Sequence, residues 1–258
     1  MTIDANTSYP IPGTSLTATF LGAAPSGFSP IFYGHSEGSA AMGSVNAGNS
    51  DQLFVGGSGM NGAFADTLQD TQSIGLYQAR HQALFGQAVG GGSAEETYSA
   101  VDPTQYSLVH PKLVTSSANV YDGAVFMDVF GDGLEPHGNA HNAAMVYVAP
   151  PYGPRYDSDE AFLKAIGETA SHVAECVQAY NAKADQAGSD LTPLRVVRLG
   201  LYSSKIYNRK PAVSLDLIAM AIYDGLLSVL SKDDAGLTGL EFPVAKGEFS
   251  AVEKKLQG

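Results

Sequence analysis

Two stretches of the chain gather side chains that handle anions and sugars. The first runs from Asn46 to Gly62 and carries Asn46, Asn49, Asp51, Gly56, Gly57, Ser58, Gly59 and Asn61. Its four glycines within seven residues, Gly56, Gly57, Gly59 and Gly62, let a backbone turn tightly and aim its N–H groups at a ligand. The second stretch, Leu201 to Pro211, carries Tyr202, Ser203, Ser204, Lys205, Tyr207 and Asn208. It offers hydroxyls, an ammonium, aromatic rings and an amide. Taken together these groups suit a phosphorylated nucleoside, because backbone N–H groups and a lysine hold phosphate. Two ordinary surface loops are the competing reading.

Other clusters carry less. Gly90, Gly91 and Gly92 precede Ser93, Glu95 and Glu96. One carboxyl held protonated there could assist a leaving sugar oxygen; a turn followed by a Ser93–Glu96 capping box is the plainer reading. His137 and His141 have the spacing that sets two metal ligands on one helix face. Pro136 and Gly138 mark that segment as a loop instead, and no metal site is assigned. His35-Ser36 has no third member, and Gly-His-Ser-Glu-Gly is not a serine elbow. Cys176 borders an apolar helical stripe and reads as a small buried hydrophobe rather than a nucleophile.

The elements that must position these loops alternate between strand and helix. Leu16 to Leu21, Met42 to Asn46, Ala124 to Val129 and Leu194 to Leu201 read as strands. Ala143 to Ala149, stopped by Pro150 and Pro151, reads as a buried central strand. A helix opens at Asp157 or Ser158, with Phe162, Ile166, Ala170, Val173, Val177 and Tyr180 along one stripe. A second helix spans Val213 to Leu230, with Leu217, Met220, Ala221, Asp224, Leu227 and Leu230 on one side. Pro103 to Pro111 reads as loop, and Leu76 to Phe85 as a short helix. Phe242 to Val244 could add an edge strand. This is an α/β layout, and the two strong helices around Val196 fit a βαβα unit covering both faces of a sheet. In such sheets, loops leaving the carboxyl ends of strands build the ligand crevice.

Composition bounds the rest. The 258 residues make between one and two domains and bury a core without staples. Hydrophobic residues are 44% and charged residues 16%, which excludes a disordered acidic chain. One cysteine excludes an intramolecular disulfide framework. Fourteen Lys and Arg against 26 Asp and Glu give a net charge of −12, so no bulk attraction draws nucleic acid or an anionic membrane. No stretch is long and apolar enough to span a bilayer, and no basic-then-apolar leader opens the chain. The expected setting is soluble and intracellular, cytoplasmic by default. No cofactor is called for, and nothing signals an oligomeric state.

The run Val45-Asn46-Ala47-Gly48-Asn49-Ser50, then Gly56-Gly57-Ser58-Gly59-Met60-Asn61-Gly62-Ala63-Phe64, resembles the first binding loop of the macrodomain family. Met145 to Pro154 is similar to that family's apolar central strand closing on Gly-Pro. Asp159 to Tyr180 is similar to the following helix, and Val196 to Pro211, running into Leu230, to its second loop and last helix. The order of the pieces agrees. The resemblance covers residues 45–64 and 143–230.

The resemblance implies a three-layer α/β/α sandwich with a mixed central sheet, formed as a single domain over 1–258. Residues 65–140 would be a large insertion and 231–258 a C-terminal extension. The implied partner is ADP-ribose, or an ADP-ribosylated protein or small molecule. Asn46 and Asn49 would lie near the distal ribose, and Gly56, Gly57, Ser58 and Gly59 would wrap that ribose and the pyrophosphate. Ser203, Ser204, Lys205 and Ile206 would flank the diphosphate, with Tyr207 over the ribose. Hydrolysis of an ADP-ribosyl linkage would call on Asn46 and Asp51 to hold water. The Gly90–Gly92 cluster with Glu95 and Glu96 is similar to the motif of poly-ADP-ribose glycohydrolases, without the usual glutamine before the glutamates. Two departures stand out: lysine replaces a usual glycine in the second loop, and the acid that reads adenine has no clean counterpart. A non-catalytic reader of ADP-ribose and an assembly protein reusing the fold are the alternatives.

Overall fold

The computed structural model describes residues 7–22, 41–47, 107–109, 125–129, 141–148, 150–189, 191–243 and 247–258. Eight strands form one mixed sheet: β1 (Thr7–Pro10), β2 (Thr17–Leu21), β3 (Ala41–Ala47), β4 (Ser107–Val109), β5 (Val125–Val129), β6 (His141–Val148), β7 (Val196–Leu199) and β8 (Gly239–Pro243). Their spatial order is β1-β2-β8-β7-β3-β6-β5-β4. The five strands from β2 to β6 run parallel, and β1, β5 and β4 add antiparallel edges. Buried parallel strands need near-continuous apolar sequence. β7, Val-Val-Arg-Leu, is buried at every position.

Two long helices join the parallel strands. α1 (Asp159–Ala184) links β6 to β7, and α2 (Leu215–Leu230) links β7 to β8. Ser158 starts α1 by accepting the Ala161 N–H at 3.1 Å, and Ser214 starts α2 by accepting that of Leu217. The stripe expected on α1 is buried throughout. Cys176 lies within it, fully buried, and burial pushes its thiol up, away from reactivity. On α2 the buried side is Ile218, Ala219, Ile222, Tyr223, Gly225, Leu226 and Leu230. This corrects the expected stripe by about one residue, and leaves Leu217 46% exposed. α2 is apolar nearly all round, so its periodicity marks no unique face.

The helices were expected on opposite faces of the sheet, but they pack against each other. Both right-handed crossovers step the same way across the sheet, from β6 past β3 to β7 and then to β8, which puts both helices on one face. Asn181, buried on α1, holds the turn into β7. Its amide donates to the Leu194 and Ala235 carbonyls and accepts from the Leu194 N–H, each at 2.8 Å.

Two further expectations change. Ser107–Val109, read as loop, pairs antiparallel with β5, so β4 and β5 from the supposed insertion belong to the main sheet. The C-terminal segment supplies an interior strand rather than an edge, since β8 lies between β2 and β7. It is fastened by a chain of ring contacts: Tyr9 meets Phe20 edge-on at 6.0 Å between centroids, Phe20 stacks on Phe242 at 5.6 Å, and Phe242 meets Phe249 tilted at 4.7 Å. α3 (Ser250–Gln257) then lies against β1 and α2. The helix expected at Leu76–Phe85 lies outside the described residues.

A buried ion pair crosses from β7 to β8. Arg198 Nε and Nη2 donate to Glu241 Oε2 at 2.8 and 2.6 Å, and the two residues are direct cross-strand partners. Burial pulls the guanidinium down from its ordinary value while Glu241 raises it. Such a pair adds little net stability, but leaving either charge alone would cost roughly 3–5 kcal/mol.

Candidate functional site

The carboxyl ends of the parallel strands share one end of the sheet, and β3 runs between β6 and β7. Asn46, the penultimate residue of β3, stands opposite Tyr147 of β6. The loops leaving β6 and β7 meet each other beside it. Ser203 Oγ donates to the Pro151 carbonyl at 2.8 Å. Tyr152 and Tyr207 stand edge to face, their rings 5.8 Å apart. The Arg155 guanidinium lies 5.3 Å from the Tyr152 ring centre.

The fit between these loops depends on one glycine. A Cβ on Gly153 would stand 1.8 Å from the Asn208 carbonyl oxygen and 3.1 Å from that of Tyr207. Below, Tyr202 is buried and donates to the Ile166 carbonyl of α1 at 2.9 Å. Burial pushes its phenol well above the ordinary value, so it serves as a neutral anchor. Asn208 ties the far side of the loop by donating to the Val213 carbonyl at 2.7 Å. Lys210 approaches Asp159, at the start of α1, to 3.7 Å.

The second loop is strained. Ser203, Lys205 and Arg209 have φ of 55°, 51° and 49°, the left-handed region that L residues avoid. Its two serines hold the loop itself: Ser203 as above, and Ser204 by donating to the Leu201 carbonyl at 3.1 Å. Lys205 is exposed and Tyr207 half-buried at this turn, while the N–H groups of Tyr207 and Asn208 close it on the Ser204 and Lys205 carbonyls. Ile206 lies in the 3-10 turn Lys205–Tyr207, and its side chain is outside the described residues.

Of the other expected site residues, Asn49, Asp51, Gly56, Gly57, Ser58, Gly59, Glu95 and Glu96 lie outside the described residues. His141 opens strand β6, so the one-face argument for a helical His pair does not apply to it. Among the described residues no group of three His, Cys, Asp or Glu could hold a metal, and no helix is long and apolar enough to cross a membrane. Sequence reasoning missed Tyr152, Gly153 and Arg155 as site residues. The signal was the Pro-Pro-Tyr-Gly-Pro run closing β6, which was read as a strand stop and as the Gly-Pro close of the family's central strand, not as a source of site side chains.

This arrangement of sheet and loops is the macrodomain fold. The chain superposes on the Oceanobacillus iheyensis macrodomain with ADP at a TM-score of 0.56, covering 98% of this chain and 95% of that one at 13% identity. A mutant of the same macrodomain with ADPR matches at a TM-score of 0.54, with 14% identity over 98% and 97% of the two chains. At those identities the likeness is one of fold. In sequence the chain is 30% identical over 196 residues to the DNA/RNA-binding protein ALBA4 of Plasmodium falciparum, across 71% of this chain and 52% of that protein. It is 27% identical over 197 residues to mitochondrial association factor 1 form a1 of Toxoplasma gondii, across 68% of this chain and 43% of that protein. The chain thus spans about half the length of the curated relatives it matches. No family model matches the sequence.

Proposed function

We propose that the protein binds ADP-ribose in the crevice above the carboxyl end of β3. The observation that carries this reading is the joining of the β6 and β7 loops beside Asn46. That sets an exposed lysine at the strand end where α/β sheets take ligands. The run from Val45 to Phe64 and the solved macrodomains titled with ADP and ADPR support the choice of nucleotide. Hydrolysis is the finer reading. It would use Asn46 and Asp51 to hold water and Glu95 or Glu96 to protonate the leaving oxygen. Those three acids lie outside the described residues, so the geometry supports binding first.

The name of the Plasmodium relative raises nucleic acid as a partner. The charge of −12 opposes it for this chain, because polyanion binding draws its affinity from released counterions around Lys and Arg. A small dianion is different, since local N–H groups outweigh a distant repulsive field. Calorimetric titration with ADP-ribose, using ADP for comparison, tests the reading. We expect micromolar binding that falls at least about tenfold in Asn46→Ala, the loss of one or two hydrogen bonds to a buried ligand. Unchanged affinity in a folded Asn46→Ala protein would remove Asn46 from the site. No heat with either nucleotide would leave only the fold in common, and would turn attention to the assembly alternative. Release of ADP-ribose from a modified protein would separate a hydrolase from a reader.

A further inference from the structure

Arg198 and Glu241 belong to a line of polar residues that crosses four strands in register. Ser8 of β1 stands opposite Thr19 of β2, Thr19 opposite Glu241 of β8, and Glu241 opposite Arg198 of β7. The Ser8 and Thr19 hydroxyls are hydrogen-bonded at 2.9 Å. Thr19, Glu241 and Arg198 are all buried. Alternation along the strands sets this line on the sheet face turned away from the two long helices. The residues on either side, Leu240 and Phe242 of β8 and Val197 and Leu199 of β7, join the apolar core under α1 and α2.

A buried ion pair is weak evidence of stability, because apolar residues can fill the same space at no loss. What it adds here is discrimination between registers. β8 is five residues long, and Leu240 and Phe242 flank Glu241. A slip of one residue would turn both out of the core, but a slip of two would leave each strand's faces as they are. The apolar pattern does not forbid that second slip. The ion pair does: Arg198 would then stand opposite Gly239 or Pro243, away from Glu241, with two buried charges apart.

The register bears on the crevice. β8 is paired along its whole length with β2, so a slip between β7 and β8 moves β7. Arg198 is paired on its other side with Ser44 of β3, next but one to Asn46. β7 itself runs directly into the second loop. The height of β7 in the sheet thus sets how far that loop stands from Asn46.

We propose that Arg198 and Glu241 are positioning residues: their pairing locks β7 and β8 in one register and so holds the second loop at the height of Asn46. This rests on the reading of the crevice as an ADP-ribose site and adds the device that aligns its walls.

Two variants separate register from stability. Arg198→Met alone leaves Glu241 buried without the guanidinium. Arg198→Met combined with Glu241→Leu removes both charges and keeps a similar volume. Each protein is melted, titrated with ADP-ribose, and its amide proton–nitrogen spectrum recorded. The single variant should melt at least about 6 °C lower than the unaltered protein. The double variant should melt within about 3 °C of it, or higher. A pair with a merely structural role would then leave the double variant fully functional. We expect instead two sets of amide signals from β7, β8 and the second loop. We also expect ADP-ribose affinity to be roughly tenfold weaker, as small displacements of positioning groups require. A single set of signals in the double variant overturns the lock, whatever its affinity. Full affinity there overturns the bearing of the pair on the crevice. A double variant that melts as low as the single one makes the pair a stabilising contact, and overturns the proposal too. An unaltered protein that gives no heat with ADP-ribose overturns the reading of the crevice, and the amide signals still decide the lock.

Discussion

Gly153 and Gly225 are both pressed against a carbonyl oxygen, but in regions built for different ends. A Cβ on Gly225 of α2 would stand 2.1 Å from the Gly167 carbonyl oxygen of α1 and 2.9 Å from the Ala170 Cβ. A Cβ on Gly153 would stand 1.8 Å from the Asn208 carbonyl oxygen. The first contact lets two helices approach until their apolar sides interlock. Every neighbour there is rigid, because helix backbone cannot rotate out of the way. The second contact joins two loops whose own hydrogen bonds hold them, and whose exposed side chains remain available. The tighter clash is therefore in the softer region. What a glycine contact does depends on what surrounds it, more than on the closeness of the contact.

The comparison predicts opposite readouts. Gly225→Ala should produce the largest loss of stability. Alanine gains about 1 kcal/mol of helix propensity over glycine. A methyl group forced against helix backbone costs more, at or above the roughly 1–3 kcal/mol typical of overpacking. We expect a net loss of about 2 kcal/mol by urea unfolding, with nucleotide affinity kept in the folded fraction. A stability equal to or above that of the unaltered protein would mean that the helices do not approach as described.

Gly153→Ala should reverse the pattern. The Asn208 carbonyl must move, and Tyr207 and Lys205 belong to the same turn. The global cost should stay below that of Gly225→Ala, because loops shift locally. ADP-ribose affinity should fall about tenfold or more, since small displacements of positioning groups are expensive. Full affinity with lowered stability would make the two glycines alike, and the loop junction merely structural.

The same contrast explains what could be read from sequence. α1 was legible because its apolar residues recur against a polar background and Ser158 caps it. α2 was legible as a helix but not in its orientation, because apolar residues surround it. The glycine contacts were not legible. Nothing local distinguishes Gly225, which meets a residue 58 positions earlier, 225 − 167, from a tolerated helix glycine. β8 was misplaced for a related reason: five residues carry their pattern of burial but not the identity of their neighbours, and only the crossover through α2 sets β8 between β2 and β7. In the candidate site, hydroxyls, a lysine, aromatic rings and an amide singled out the second loop. They did not reveal that Ser203 and Ser204 hold the loop together, because a hydroxyl reads the same whether it meets a ligand or a carbonyl.

The smallest predicted effect lies at the opposite end of the sheet and checks that the loop junction is special. Ser15, just before β2, donates its hydroxyl to the Asp234 carboxylate, just before β8. This too ties two loops across parallel strands, but it is exposed, and the glycine beside it, Gly236, is pressed on the flexible Arg195 side chain rather than on backbone. The Ser15 hydroxyl, and then the Gly236 N–H, hold the Asp234 carboxyl below its ordinary value. A carboxyl lowered in the folded state contributes stability above its unfolded pKa, near 3.9, and loses it as pH falls through the lower folded value. Ser15→Ala should therefore cost at most about 0.5–1 kcal/mol at pH 7, screened as surface ionic contacts are. The difference from the unaltered protein should shrink toward zero as urea unfolding is repeated down to about pH 2–3. ADP-ribose binding should not change. A difference that persists at the acid end would trace the effect to packing of the turn rather than to the ionised carboxylate. A loss of binding would show that the two ends of the sheet are coupled, and that the junction beside Asn46 does not hold its geometry alone.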